Sequence, residues 1–236
     1  MNQQFVRGER EVDYPSLLET VLGHLEELGV TYLATSGELV TDEVLESAEA
    51  SMKIRLPAEL REFYQTVGDG FSFFWESDSG DPKTPWGSLP VPSLSSLVKM
   101  YTGWRGLVLY SPERAEEYGF PHTKDPALAK HTAARMWHWL PIIAEENGDA
   151  ICLDLGAPGC PVVFDQHDWM DGGSGDNGHP LGANWREFLI GWGSVCFQMP
   201  KDLYWPWCFR PGGVAWDGEH FHSRFRVAEL AKLHNA

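Results

Sequence analysis

Three short apolar segments joined by tight turns constrain the fold more than any other feature of this sequence. Residues 139–144 and 150–155 flank Glu-Glu-Asn-Gly-Asp, and residues 161–165 follow a turn that contains Gly156 and Gly159. Asn-Gly supplies the positive φ angles of a tight β-hairpin turn. Connections this short join antiparallel neighbours, because a parallel crossover needs a dozen or more residues. The segments therefore predict an antiparallel meander.

Helical periodicity dominates the segments on both sides of the meander. Residues 14–28 carry an apolar stripe at helical spacing, with Asp13 placed as an N-cap and Pro15 in the first turn. An aromatic strand is predicted over residues 71–75, and the composition of residues 76–92 predicts a loop. Further helices are predicted from Thr41, after Leu56-Pro57, after Ser93, over residues 185–192 and near residues 227–233.

Helices and antiparallel strands in separate stretches are typical of an α+β fold. We predict a twisted antiparallel sheet with helices packed on it, in a single domain, since 236 residues suffice for one substantial core. Residues 106–135 carry only a weak helical signal near 127–134, and this segment has no predicted role.

The net charge of −16 excludes several classes of partner. Nucleic acids and anionic membranes bind proteins through Lys and Arg, so neither is expected to bind this chain. No apolar run reaches the ~20 residues of a membrane helix, and residues 1–10 lack the apolar centre of a secretory signal. The four cysteines form no CxxC pair and predict reduced, mostly buried thiols in a cytoplasmic protein.

The acidic side chains are concentrated in one segment. Residues 136–185 contain no Lys or Arg but eight acidic residues: Glu145, Glu146, Asp149, Asp154, Asp165, Asp168, Asp171 and Asp176. Two interpretations stay open, namely charge that keeps the protein soluble and a face that attracts a basic protein partner. The second interpretation assigns partner contacts to six of these residues: Glu145, Glu146, Asp165, Asp168, Asp171 and Asp176.

Tryptophan is unusually frequent, with 11 residues in the chain, and several lie in the C-terminal segment. Trp205, Trp207 and Trp216 occur there with Tyr204 and Phe209, in a tail too rich in Pro and Gly to form its own core. Either the tail folds back over the sheet, or Trp205 and Trp207 form an exposed patch, since Trp and Tyr are favoured interface anchors.

No motif of this sequence supports a catalytic or cofactor site. The best metal candidate is Asp217-Gly-Glu219-His220-Phe-His222, because alternation along a strand places both histidines on one side. Two ordinary surface histidines are the alternative, and we predict no metal site. Residues 171–178 lack the ligand pattern of an EF-hand, and no GxSxG, GxGxxG or Walker A motif is present. We therefore predict a protein that is not an enzyme and holds no cofactor.

Several motifs occur together in an order that is typical of one known family. The first block runs from Glu46 and Ala48-Glu49 through Leu56-Pro57-Ala-Glu-Leu60-Arg-Glu-Phe63-Tyr64 to Gly68-Asp-Gly70. The second comprises Trp139-Leu-Pro-Ile-Ile, Asn147-Gly148-Asp149, Cys152-Leu-Asp-Leu155 and Pro161-Val-Val-Phe-Asp165-Gln-His167. Trp185-Arg-Glu-Phe-Leu189 closes the series. This series resembles the SUKH superfamily, which includes bacterial immunity proteins and a yeast cell-wall-assembly regulator.

The resemblance implies three segments and a binding function. They are an N-terminal helical extension (1–39), a SUKH-like core (40–198) and a Trp-rich C-terminal extension packed on the core (199–236). The function it implies is stoichiometric binding of a basic protein toxin, such as a nuclease, which is thereby neutralised. An intracellular regulatory or scaffold protein of the same fold is the alternative. No catalytic residues are established across the superfamily, so the resemblance implies none here.

Overall fold

Two antiparallel sheets and the helices around them organise this protein. The structure is a computed structural model that describes residues 12–77, 84–107, 131, 134–167, 177–200, 205–210, 213–214 and 221–234. The helices are α1 (Tyr14–Glu27), α2 (Asp42–Met52), α3 (Ala58–Thr66), α4 (Leu94–Leu107), α5 (Trp185–Gly193) and α6 (Ala228–His234). The strands are β1 (Tyr32–Ser36), β2 (Phe71–Glu76), β3 (Trp86–Val91), β4 (Trp139–Ala144), β5 (Ala150–Asp154), β6 (Val162–Asp165), β7 (Pro180–Gly182), β8 (Phe209–Arg210) and β9 (Gly213–Val214).

The strands confirm the predicted α+β class and divide between separate sheets. One sheet has the order β1-β2-β3, a second has the order β4-β5-β6-β7, and β8 pairs with β9 in a short hairpin. All of these pairings are antiparallel. The predicted meander is β4-β5-β6, and Gly148 adopts the expected positive φ of 95° in its first turn. Most of residues 106–135 lies outside the described residues.

Side-chain caps place the helix starts where the sequence predicts them. Asp13 accepts a hydrogen bond from the Ser16 N–H at 2.7 Å, which satisfies one of the free N–H groups at the start of α1. Asn184 does the same for α5, where its side chain accepts from the Glu187 N–H at 2.9 Å. The predicted helices that begin at these two positions are therefore confirmed.

The prediction of a loop over residues 76–92 is wrong for its second half. β3 lies there and pairs with β2 along its whole length, with Phe71 opposite Val91 and Glu76 opposite Trp86. Gly, Ser and Pro lower the intrinsic strand preference of this segment, but the neighbouring strand supplies a pairing partner that the composition does not reveal. β7 was likewise not predicted.

A buried carboxylate joins α2 to α3. Glu49 is 4% exposed and accepts hydrogen bonds from the Leu56 N–H at 2.9 Å and from Arg61 Nη1 at 2.8 Å. Arg55 adds a third donor at 3.0 Å. Burial acts to raise the pKa of Glu49, but the three donors outweigh it and leave this pKa below its usual value. Both predicted helices around Leu56-Pro57 are thereby held together.

Trp75 connects the first sheet to the turn after α5. Its buried indole donates a hydrogen bond to the Cys196 carbonyl at 2.7 Å and packs against Phe225, with 4.3 Å between ring centroids. A Cβ at Gly87 would lie 2.2 Å from the indole Nε1, so only glycine leaves room for this ring. The chain after Cys196 then follows β3: the Ser88 N–H donates to the Phe197 carbonyl at 3.0 Å.

The four cysteines are free thiols, as predicted. Cys152, Cys196 and Cys208 are buried and Cys160 is partly exposed. Burial raises the pKa of the Cys196 thiol to about 12, so this group stays protonated and unreactive.

The contact between Gly87 and Trp75 predicts opposite effects for two glycine substitutions. Gly87→Ala should lower the free energy of unfolding by about 2–3 kcal/mol, because its methyl group overlaps the indole. Gly103→Ala is the matched control, since nothing lies within 4 Å of its added Cβ on α4. That change should raise stability by about 0.5–1 kcal/mol, because alanine favours helix over glycine. Urea denaturation measures both, and a Gly87→Ala protein as stable as wild type would contradict this account of Trp75.

Candidate interaction surface

Three of the acidic residues in this stretch are buried in the protein. The carboxylates of Asp149, Asp154 and Asp165 are between 2% and 7% exposed. Asp154 pairs with Arg135 at 3.0 Å, and Asp149 accepts from the backbone N–H of His167 at 3.0 Å. These groups hold turns and strand ends in place, so the number of acidic residues overstates the charge that a partner would meet.

Asp165 shows the largest departure from what the sequence predicts. It is 2% exposed and lies opposite Ala150 at the end of β6, so the expectation of an exposed carboxylate here is wrong. Among the described residues, its Oδ1 has no hydrogen-bond partner. Burial, together with the nearby charge of Asp149, raises the pKa of Asp165 to about 7, although His167 and Asn177 act to lower it.

Glu145 and Trp205, both predicted as partner contacts, interact with each other, and Glu145 is partly buried while Trp205 is fully buried. Burial raises the pKa of Glu145 to about 6, and the Trp205 indole N–H acts in the opposite direction. Neither the Glu145 Oε1 nor the Trp205 Nε1 completes a hydrogen bond of ordinary geometry. This pair therefore links the first hairpin turn to the C-terminal segment.

The tail folds back onto the core at Trp205. This side chain is fully buried, with its ring centroid 4.7 Å from that of Trp192 and 5.4 Å from that of Phe209. The packed interpretation is confirmed for Trp205, and the exposed-patch interpretation is wrong for it. The side chains of Trp207, Tyr204 and Trp216 lie outside the described residues.

Of the remaining acidic contacts that the sequence predicts, the structure describes only Glu146. Glu146 is exposed beside the hairpin turn. Asp168, Asp171 and Asp176 lie outside the described residues, so their contact with a partner stays a prediction.

The predicted metal candidate lies mostly outside the described residues, which include only its last member, His222. His222 is exposed, and its Nδ1 accepts a hydrogen bond from the Arg224 N–H at 3.3 Å at the start of a short 3-10 helix. Within the described residues, no group of three or more His, Cys, Asp or Glu side chains could hold a metal ion.

The outward side of the β1-β2-β3 sheet carries exposed apolar side chains, and we call it the outer face. Leu33 is 71% exposed, Phe74 is 41% exposed and Trp86 is 38% exposed. Leu33 lies directly opposite Phe74 on the neighbouring strand, and the rings of Phe74 and Trp86 are 6.2 Å apart. The three side chains thus form one patch, and exposed apolar patches of this kind mark interaction sites.

The outer face continues into an open strand edge. β1 is the outermost strand of its sheet, and four of its five residues are exposed. The Gly37 N–H donates to the Gly70 carbonyl just beyond the ladder, and hydrogen-bonded pairs alternate along antiparallel strands. The N–H groups of Leu33 and Thr35 therefore point to β2, and that of Ala34 points outward. The opposite edge, β3, is covered by residues 197–199.

The charge around this surface is acidic. Glu76 is exposed on the same side of β2 as Phe74, and Glu38 is exposed just after β1. The three strands contain no Lys or Arg. An edge strand without charge, proline or a bulge is an open template for another strand. The surface therefore fits a partner that offers apolar and basic side chains.

The sequence contains one signal for this surface that our prediction did not use. Phe73, Phe74 and Trp75 are three consecutive aromatic residues, and successive strand residues point to opposite sides of a sheet. At least one aromatic ring must therefore lie on each side of β2. Only the structure shows that the ring of Phe74 stays exposed, with no described helix over that side of the sheet.

The order of these elements agrees with a family match over residues 39–191, which identifies the SMI1/KNR4 family (SUKH-1). The chain belongs to the SMI1/KNR4 family. Its members are generally non-enzymatic immunity or regulatory proteins. β1 and Leu33 precede the matched residues. No curated protein matches the sequence. Within the described residues, the helices are too short or too polar to cross a bilayer.

The buried position of Asp165 predicts a pH-dependent effect of Asp165→Asn. The folded protein holds a proton on this carboxyl up to about pH 7, whereas the unfolded chain loses it near pH 4. The protonated Asp165 side chain therefore makes its whole contribution to the free energy of unfolding below about pH 4. This contribution is lost as the pH rises to about 7. Asp165→Asn should thus stabilise the protein more at pH 8 than at pH 4.5, by on the order of 2 kcal/mol.

Urea denaturation at the two pH values measures this difference. Glu146→Gln, an exposed change in the turn between β4 and β5, is the control and should give no comparable pH-dependent gain. An Asp165→Asn effect that is the same at both pH values would show that Asp165 does not hold its proton through folding.

Proposed function

We propose that this protein is an immunity-type binding protein of the cytoplasm that neutralises a basic protein toxin, such as a nuclease, by stoichiometric binding. The observation that carries the proposal is the uncovered outer face, where Leu33, Phe74 and Trp86 are exposed beside an open strand edge. Membership in a family of immunity and regulatory proteins supports a binding function of this kind.

The partner's basic character follows from charge. With 34 acidic and 18 basic residues, the chain carries a net negative charge of 16, which attracts cations. Glu76 and Glu38 lie next to the apolar patch, and Glu146, Asp168, Asp171 and Asp176 supply further charge under this proposal. Toxins that act on nucleic acid carry Lys and Arg side chains that bind the phosphates. Acidic side chains of this protein would pair with those Lys and Arg residues and keep the nucleic acid from binding.

The double change Phe74→Ser with Trp86→Ser should weaken toxin binding by about 100-fold or more, because two aromatic anchors are lost. The partner to test is a basic toxin domain, sought first among the products of neighbouring genes, and calorimetric titration measures its dissociation constant. The control is Leu233→Ser, which removes an apolar side chain that is 42% exposed on α6.

Association of the wild-type protein with the toxin should also slow as the salt concentration rises from about 20 to 300 mM, because screening weakens electrostatic steering.

A double variant that binds as tightly as wild type would exclude the outer face as the interface. The aromatic and acidic residues outside the described part of the chain would then be the place to search. No binding of wild type to any basic toxin domain would instead favour the regulatory or scaffold alternative.

If a strand of the toxin pairs with the open edge of β1, two substitutions at Ala34 should have different effects on toxin affinity. Ala34→Pro removes the outward N–H and leaves the bonds between β1 and β2 intact, so it should weaken toxin binding by tenfold or more. Ala34→Val keeps this N–H and should bind nearly as wild type does. The two dissociation constants, measured beside melting curves, test the proposal. Equal affinity of both variants would show that the partner contacts side chains of the outer face without adding a strand.

A further inference from the structure

A cleft on another part of the protein is lined by basic and aromatic side chains. It has a volume of about 510 Å³ and lies between the end of α2, the second half of α4 and residues 137–138. Its lining includes Lys53, Arg105, His138, Trp137 and Tyr101. A volume of this size falls within the range of small-molecule sites, which span about 300–1,000 Å³.

Arg105 is held in place by the aromatic side of the cleft. Its guanidinium lies 3.3 Å from the centroid of the Trp137 ring and 5.8 Å from that of Tyr101. One N–H of the group donates to the Trp137 carbonyl. A guanidinium carries five N–H donors, and within the described residues no carboxylate pairs with this one. The Arg105 guanidinium is thus fixed in position and still has N–H donors that a ligand can use.

Lys53 and His138 bring two more nitrogen-bearing side chains to the same cleft. Lys53 ends α2 in a left-handed conformation, with φ of 57°. The last carbonyls of α2 already accept the N–H groups of Lys53 and Ile54, so the Lys53 ammonium is not required to cap them. His138 lies against Gly156, where an added Cβ would be 3.0 Å from its Cβ. Glycine at 156 therefore sets the position of the histidine.

The absence of acidic groups makes this cleft unlike the rest of the protein. Among the described residues, no Asp or Glu lines it, although acidic residues outnumber basic ones by 34 to 18 in the whole chain. Met52, Ile54 and Leu155 supply an apolar wall. We propose that this cleft binds a small organic anion, with a carboxylate or phosphate held by Lys53 and Arg105 and an apolar body against that wall.

This site is independent of the toxin interface, since none of its lining residues belongs to the outer face. The anion would bind by charge-assisted hydrogen bonds, which the guanidinium and ammonium both form with carboxylate and phosphate oxygens. The lining does not distinguish between the two head groups, so the test compares both.

The experiment titrates the ¹⁵N-labelled protein with phenyl phosphate and, separately, with benzoate at low salt. Both anions should shift the backbone amide resonances of Lys53, Thr102 and His138. Benzylamine has a similar ring but a positive charge and should leave them in place. The tighter of the two anions then identifies the preferred head group.

Lys53→Asn should weaken binding of the tighter anion by about three- to tenfold, since one cationic contact is lost. Asparagine tolerates the left-handed backbone at this position, so the variant should fold. Lys99→Gln is the matched control, because it removes one positive charge from an exposed position of α4 outside the cleft.

Three results would overturn the proposal. The first is no shift of these resonances with either anion at about 20 mM, which is far above the KM values of about 1 μM to 1 mM that are typical of enzymes for small molecules. The second is benzylamine acting on the same resonances as strongly as the anions. The third is equal weakening of binding by Lys53→Asn and Lys99→Gln, which would reflect overall charge and no defined site.

Discussion

The hydrogen bond from the Trp75 indole to the Cys196 carbonyl determines how the first sheet meets the rest of the protein. It forms only where Gly87 gives the indole room. Cys196 and Phe197 both adopt positive φ angles of 56° and 54°, a conformation that is costly for residues other than glycine. The turn they form carries residues 197–199 along β3 and covers that edge. Among the described residues, no segment pairs with the opposite edge, β1, and the two edges of one sheet therefore differ in their access to another strand.

The parts of the fold that the sequence predicts are those set by local chemistry. Asn147-Gly148 fixes a hairpin turn, and Asp13 and Asn184 cap helices, since each effect needs only neighbouring residues. β3 could not be predicted in the same way. Its glycine and proline are typical of loops, and its strand conformation depends on pairing with β2. The division into two sheets also depends on contacts between distant segments.

The candidate site was harder to predict because charge and exposure are separate properties. Asp165 and Glu145 add to the acidic composition, but the register of β5 and β6 and the packing of Trp205 bury them in part or in full. The outer face was missed for the converse reason. Phenylalanine is a residue type that is usually buried, and only the tertiary arrangement leaves the ring of Phe74 exposed. Composition reports what residues are present, and burial decides which of them a partner can contact.

An open edge beside exposed aromatic side chains is a hazard as well as a binding surface, because a second copy of the same chain could pair with it. The net charge of −16 counters this hazard, since two copies repel each other at long range. The same charge attracts a basic partner. Screening at physiological salt limits these forces to distances of about 8 Å, so discrimination depends on charges close to the edge. Glu76 and Glu38 are exposed next to the apolar patch, where they repel the same residues of another copy and attract basic side chains.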